Sequence, residues 1–331
     1  IKKSKIRGAV SEGMICAANE IGLEDFVDLH PGPLPKGEGK SGPEILDISW
    51  SKAKPGTPLA KALELNDTVF EVEVTTNRPD ALGVIGLARE VGAIFNVELR
   101  MKNEELKNAH NPSRPPLNLR GGVPRRGRGQ APALQVRVEV PKLCPRYIAV
   151  AMDGIKVAPS PWWLQRKLMA SGVRPINNIV YITNSVLLSY GQPCQAFEAD
   201  RLKYLADRPP EVRRTVLVVR MAEHGEKILA LDGNAYELDE NVLVIADAVK
   251  PIAIAGIMGG EETGVRESTS HIVYEIANFD PGVVRRGEHE LGLSSDSSAR
   301  FNKGLPVQLP EIVAARLVEL TKKVVGGEVV G

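Results

Sequence analysis

The sequence predicts an α+β protein of several domains, built on mixed or antiparallel sheets with flanking helices. Three observations carry that expectation. Between residues 134 and 279, seven short apolar runs rich in Val and Ile read as strands, most of them bounded by Gly, Asp or Pro. Only two helical patterns interrupt them, and these fall close together, at 160–172 and within 177–200, so the strands are not joined one by one through helices. The chain has 331 residues, enough for two or more domains with separate cores.

In the first segment, 1–34, residues 1 to about 22 hold basic residues, glycines and one short apolar turn, too little for a core, and the chain opens on Ile1 in mid-pattern. This reads as the close of a domain begun elsewhere, with no signal peptide. "HPGPLPKGEGKSGP", 30–43, is a turn-rich loop that leads into a second segment, 35–110. In that segment "NDTVFEVEVTTNRPD" alternates Val69, Glu71 and Glu73 with Phe70, Val72 and Val74, which predicts a strand ending at Asn77 and Pro79. The helical spacing of Leu82, Ile85, Ala88, Val91 and Phe95 then predicts a helix with Asp80 as its N-cap. Residues 111–133 are rich in Pro, Gly and Arg and read as a linker. Arg125, Arg126 and Arg128 there are candidates for RNA phosphate contacts, with a solvated linker as the competing reading.

The strand-rich domain spans 134–307. "ALQVRVEV", "RYIAVAMDGIKV", "TVLVVRMA", "EKILALDG", "NVLVIADA", "PIAIAGIMGG" and "HIVYEIANF" are its strands. Ser160 and Pro161 are expected to open the first helix and Gly172 to close it, while Gly191 and Pro193 end the second. Residues 308–331, with the helix "PEIVAARLVELTKK", begin a further domain. The second helix carries Asn177, Asn178, Thr183, Asn184 and Ser185 in an apolar run, and Gln195 follows it; buried amides and hydroxyls need partners.

The composition narrows the function. Forty-two Lys and Arg against 41 Asp and Glu argue against whole-surface nucleic-acid binding, and no apolar run approaches the ~20 residues of a membrane span. Cys16, Cys144 and Cys194 form no metal-type pair, which points to a reducing, cytoplasmic setting and predicts no metal site. No phosphate-binding glycine loop is visible. His30, His110, His224, His271 and His289 read as solvated or capping residues, and Trp162 and Trp163 as packing residues.

Four stretches, in order, carry a resemblance. "IRGAVSEGMICAANEIGL", "VEVTTNRPDALGVIGLAREVGAIF", "RPINNIVYITNSVLLSYGQPCQAF" and "IAIAGIMGGEETGV…IVYEIANFDP…LGLSSDSSARFNKG" resemble the bacterial phenylalanyl-tRNA synthetase β subunits. The resemblance implies that residues 1–34 end an OB-fold, that 35–110 belong to the β subunit's N-terminal domain, and that 134–307 form a B3/B4 editing domain. It implies an α-subunit partner carrying aminoacylation with ATP and Mg2+, tRNA(Phe) as the RNA, and no cofactor on this chain. It also implies an editing pocket containing Glu275, Gly256, Gly259, Gly260, Thr183, Asn184, Pro193, Gln195, Ser295 and Ser297, with Glu275 reading a tyrosine hydroxyl and the glycines admitting an ester. A solvent-facing strand glutamate, a tight turn and plain helix capping are the competing readings of these residues. The chain departs from the family pattern at Tyr181, Ser185, Gln195, Glu198, Ser297 and Asn302. Gln195, in place of a histidine, cannot serve as a general base near neutral pH.

Overall fold

The computed structural model describes residues 4–6, 9–11, 51–54, 56–97, 133–173, 176–203 and 214–331. The expected OB-fold end, apart from one short hairpin (β1, Ser4–Ile6; β2, Ala9–Ser11), lies outside them. So do the basic linker, Cys16, His30 and His110. The chain divides into two units, 1–71 with 159–177, and 72–158 with 178–331.

In the smaller unit a single turn of helix (α1, Leu59–Ala62) precedes buried Leu63. The Trp162 indole N–H donates to the Leu63 carbonyl at 2.9 Å, and Arg166 donates to the Glu64 carbonyl at 2.7 Å. Trp162 and Arg166 lie on the predicted helix (α3, Trp162–Ala170), so Trp162 does pack. Ser160 does not cap that helix. Pro161 holds the N-cap position, and the Ser160 hydroxyl is buried with no partner. Gly172 closes the helix in the left-handed region, φ +76°, as expected.

The larger unit holds the predicted strands. A five-stranded sheet has the order β11-β10-β9-β6-β3, from β3 (Ala133–Val138), β6 (Arg214–Met221), β9 (Leu243–Ala246), β10 (Pro251–Ile254) and β11 (Met258–Gly259). Only β3 and β6 run parallel in it, so the sheet is mixed. A four-stranded antiparallel sheet has the order β13-β4-β12-β5, from β4 (Arg146–Asp153), β5 (Gln195–Glu198), β12 (His271–Asn278) and β13 (Glu328–Val329). A hairpin pairs β7 (Glu226–Leu229) with β8 (Ala235–Leu238).

Val273, Ala277, Ala151 and Phe197 of the four-stranded sheet join Leu217, Val219, Ile245 and Ile254 of the five-stranded sheet in one apolar core. Helices cover the opposite face: α4 (Asn178–Tyr190) and α7 (Leu309–Val324) pack on each other, and α7 packs on β4 and β12. There the Tyr274 hydroxyl lies 2.8 Å from that of Thr321. A strand covered on both faces reads as a continuous apolar run, and β12 is buried from Ile272 to Asn278.

Four further expectations change. Residues 66–74 form no strand in the structure, and Val69 and Phe70 are 67% and 80% exposed. Alternation marks a segment fit for a sheet, but a strand needs a neighbour to satisfy its backbone. Asp80 does not cap the next helix (α2, Val84–Ile94). It lies in a 3-10 turn, Pro79–Leu82, and accepts two hydrogen bonds from Arg78, while Gly83 holds the N-cap position. The residues actually buried on α2 are Gly86 and Gly92, and Val91 and Phe95 of the expected apolar stripe are exposed. Two further helices follow β12, α5 (Pro281–Leu291) and α6 (Asp296–Phe301), where the sequence reading placed none. Their start signals were present, since Asp280 caps α5 ahead of Pro281 and Ser295 caps α6.

Candidate functional site

Strand alternation places Val273, Glu275 and Ala277 on the face of β12 that meets the second sheet, because Val273 and Ala277 belong to the inter-sheet core. Glu275 is therefore a carboxyl between two sheets, 6% exposed. Burial alone raises its pKa from 4.5 to about 8, since leaving water penalises the charged form. No side chain among the described residues donates to it. At neutral pH it is mostly protonated, able to donate one hydrogen bond and to accept others.

Register fixes its neighbours. Ala149 of β4 and Gln195 of β5 stand opposite Glu275, on the same face. Tyr147 stands opposite Ala277, hence diagonal to Glu275, and its hydroxyl is buried without a partner. Cys144 and Cys194 also sense this carboxyl. Burial first and Glu275 second push the Cys144 thiol up to about 12, and raise Cys194 further in the same direction. Both thiols stay protonated, so neither is an activated nucleophile.

The Gln195 carboxamide crosses to the edge of the five-stranded sheet. A Cβ built on Gly259 would lie 1.8 Å from Gln195 Nε2, so the glycine is what lets the amide sit against the backbone. Glu275, Gln195 and Gly259 are thus gathered at one place. The neighbouring Gly260 faces elsewhere, lining a separate cleft with Arg201, Lys227, Lys250, Glu262 and Thr263. Gly256 has φ +73°, and a Cβ there would press on Phe279, Phe301 and Val284 at 3.1 Å, so it serves core packing.

The remaining predicted residues are engaged in structural bonds or lie apart. The Thr183 hydroxyl donates to the Val180 carbonyl at 2.8 Å within α4, while the Cys194 thiol donates to the Thr183 carbonyl at 3.6 Å. Asn184 lies one residue along that helix, half-buried. Pro193 is buried, and its carbonyl accepts from Gln192, which also bonds the Ala277 carbonyl at 2.9 Å. The Ser295 hydroxyl donates to the Ile257 carbonyl at 2.7 Å and accepts from the Ser298 N–H at 3.1 Å, which ties α6 to the turn after β10. Ser297 is half-buried on the first turn of α6. Asn178, left open between ligand and structure, bonds the Lys156 carbonyl at 3.0 Å and the Ala158 N–H at 3.3 Å, a structural role. His224 and His271 meet Asp239 and Asp200, and neither belongs to this cluster.

Sequence reasoning missed Tyr147 and Cys144. Their signal was pairing: with Glu275 in a central strand, its antiparallel neighbours point to the same face, but register is invisible before strands are paired. Among the described residues no group of three His, Cys, Asp or Glu side chains is arranged to hold a metal, and no described helix is long and apolar enough to cross a membrane.

Residues 143–326 match the B3/4 domain family. The chain is 38% identical over its whole length to the phenylalanine–tRNA ligase β subunit of Carboxydothermus hydrogenoformans, covering 36% of that protein. It is 39% identical over 99% of its length to that of Moorella thermoacetica, again covering 36%, and 40% identical over 93% to that of Streptococcus pneumoniae, covering 34%. It therefore spans about a third of the length of these relatives. Among solved structures, an N-terminal fragment of the Pyrococcus horikoshii phenylalanyl-tRNA synthetase β subunit matches 69% of this chain and 65% of its own, at 16% identity and TM-score 0.31. The family match over residues 143–326 and the identities over the whole chain make this chain a B3/4-domain homologue of the phenylalanine–tRNA ligase β subunits.

Proposed function

We propose that this chain contributes the editing site of a phenylalanine–tRNA ligase, hydrolysing the ester of tRNA(Phe) mischarged with tyrosine, and that Glu275 reads the tyrosine hydroxyl. The observation that carries this reading is a carboxyl 6% exposed with no donor among the described residues. Such a group is costly unless a partner arrives, and a site built to bond a hydroxyl rejects the analogue that lacks it. Phenylalanine would bury that carboxyl unpaired. No general base adjoins Glu275 among the described residues, so Gln195 and the Gly259 backbone would act by placing the ester and an attacking water rather than by taking a proton. The ligase as a whole would pair this subunit with an α subunit that charges tRNA using ATP and Mg2+, in the cytoplasm.

A second reading rests on one contact. The Gln195 amide occupies the space above Gly259 that an ester would need. If it stays there, the pocket is closed and the chain serves in RNA binding and assembly. Rates of tyrosyl-tRNA and phenylalanyl-tRNA deacylation by the ligase separate the two readings. Glu275→Ala is expected to shrink the ratio of the two rates by about 1 kcal/mol at pH 7, the worth of a neutral hydrogen bond, and by ~1.5–3 kcal/mol above pH 8, where the carboxyl is charged. Gln195→His is expected to raise tyrosyl-tRNA deacylation. Ratios and rates unchanged in both variants would favour the closed pocket.

A further inference from the structure

Two polar groups on the inter-sheet face have no partner: the Glu275 carboxyl and the Tyr147 hydroxyl. Tyr147 stands opposite Ala277, two residues from Glu275, so the two side chains are diagonal neighbours on one face. Diagonal pairs are ~7–8 Å apart at the backbone, within reach of long side chains. Yet the Tyr147 hydroxyl is buried without a hydrogen bond, to Glu275 or to any other described residue. Two polar groups on one sheet face, close enough that the Glu275 carboxyl acts on the Tyr147 hydroxyl yet not bonded to each other, call for a third group able to donate to one and accept from the other. A phenolic hydroxyl can do both. We infer that Tyr147 is a second specificity-determining residue of the site, its hydroxyl and the Glu275 carboxyl together bracketing the hydroxyl of a tyrosyl ester.

Other features of the molecule carry less. The cleft beside Gly260 has its three cations, Arg201, Lys227 and Lys250, already paired with Glu198, Glu237 and Glu262. The unpartnered hydroxyl of Tyr190 lies near the charges of Arg316 and Glu319, away from Glu275, and that of Tyr181 is perturbed by burial alone. Tyr147 differs in its neighbour. Burial first, and then the Glu275 and Cys144 groups, hold its hydroxyl protonated, so it acts as a hydrogen-bonding residue and not as a base.

This inference rests on the editing reading, and the test separates them. Tyr147→Phe removes one oxygen and keeps the ring in the core. In the ligase containing this chain, it is expected to lower the preference for hydrolysing tyrosyl-tRNA over phenylalanyl-tRNA roughly tenfold, through the tyrosyl rate alone. The Tyr147→Phe, Glu275→Ala double variant should lose less than the product of the two single losses, since both read one hydroxyl. If Glu275→Ala changes the preference and Tyr147→Phe does not, a bridging water satisfies Tyr147 and the inference falls while the editing reading stands. If neither variant changes the preference, both fall. A thermal midpoint measured on the same samples covers the packing role: a shift in stability with the preference intact also overturns the inference.

Discussion

At the scale of single residues, Glu275 matters because its environment changes its chemistry. The folded chain holds the proton with a pKa of about 8, against 4.5 for the group in water. Between these values the folded state carries more bound proton than the unfolded state, so stability falls as pH rises from about 4.5 to about 8 and levels off above. The shift corresponds to roughly 5 kcal/mol at most. Glu275→Gln keeps the shape and removes the titration. Its denaturant midpoint should gain on the parent chain steadily from pH 5 to pH 8. Parallel pH profiles for the two proteins would mean that water reaches the carboxyl. Gln195 shows the opposite limit, a residue whose position is set by what is missing from Gly259.

At the scale of elements, the loop and helices after β12 hold the turn that follows β10. Ser295 does so with a capping box at the start of α6 and a bond to the Ile257 carbonyl. Replacing a capping serine with alanine typically costs ~0.5–2 kcal/mol, and here a buried carbonyl also loses its donor. Ser295→Ala is expected to lower stability by about 2 kcal/mol, whereas Ser297→Ala should stay within ~0.5 kcal/mol. Urea unfolding of both variants checks the contrast; equal effects would deny Ser295 its role. The "TTNRPD" segment is held in the same way by backbone approach. A Cβ on Gly83 would lie 2.6 Å from the Gly191 nitrogen, while Arg300 and Lys303 donate to the Leu82 and Val74 carbonyls at 3.4 and 3.3 Å. The "RFNKG" run of the sequence thus serves to fasten an earlier segment within the larger unit.

At the scale of the whole molecule, nearly balanced charge would leave any RNA contact to local patches, and Arg125, Arg126 and Arg128 form one such patch. If they meet phosphates, replacing all three by Ser should weaken tRNA binding by the ligase and reduce the slope of log affinity against log salt by about 2. An unchanged slope would return the segment to a solvated linker.

Much of the fold followed from the sequence, because local chemistry specifies local structure. All seven strand runs predicted between 134 and 279 contain strands, and Gly172 and Gly191 end their helices with positive φ because only glycine takes that conformation at little cost. The charge balance, the family and the choice of Glu275, Gln195 and Gly259 also came from residue order alone. What remained hidden depends on partners distant in the chain. Residues 66–74 carry a strand's alternation yet pair with nothing described, since a hydrogen-bonded ladder needs a second strand that no local pattern supplies. Tyr147 lies 128 positions from Glu275, and only the register of β4 on β12 puts both on one face of the sheet. The sequence determined which residues could form the site. The tertiary structure decided which of them lost their water and their partners together, because burial and pairing are properties of the packed sheets.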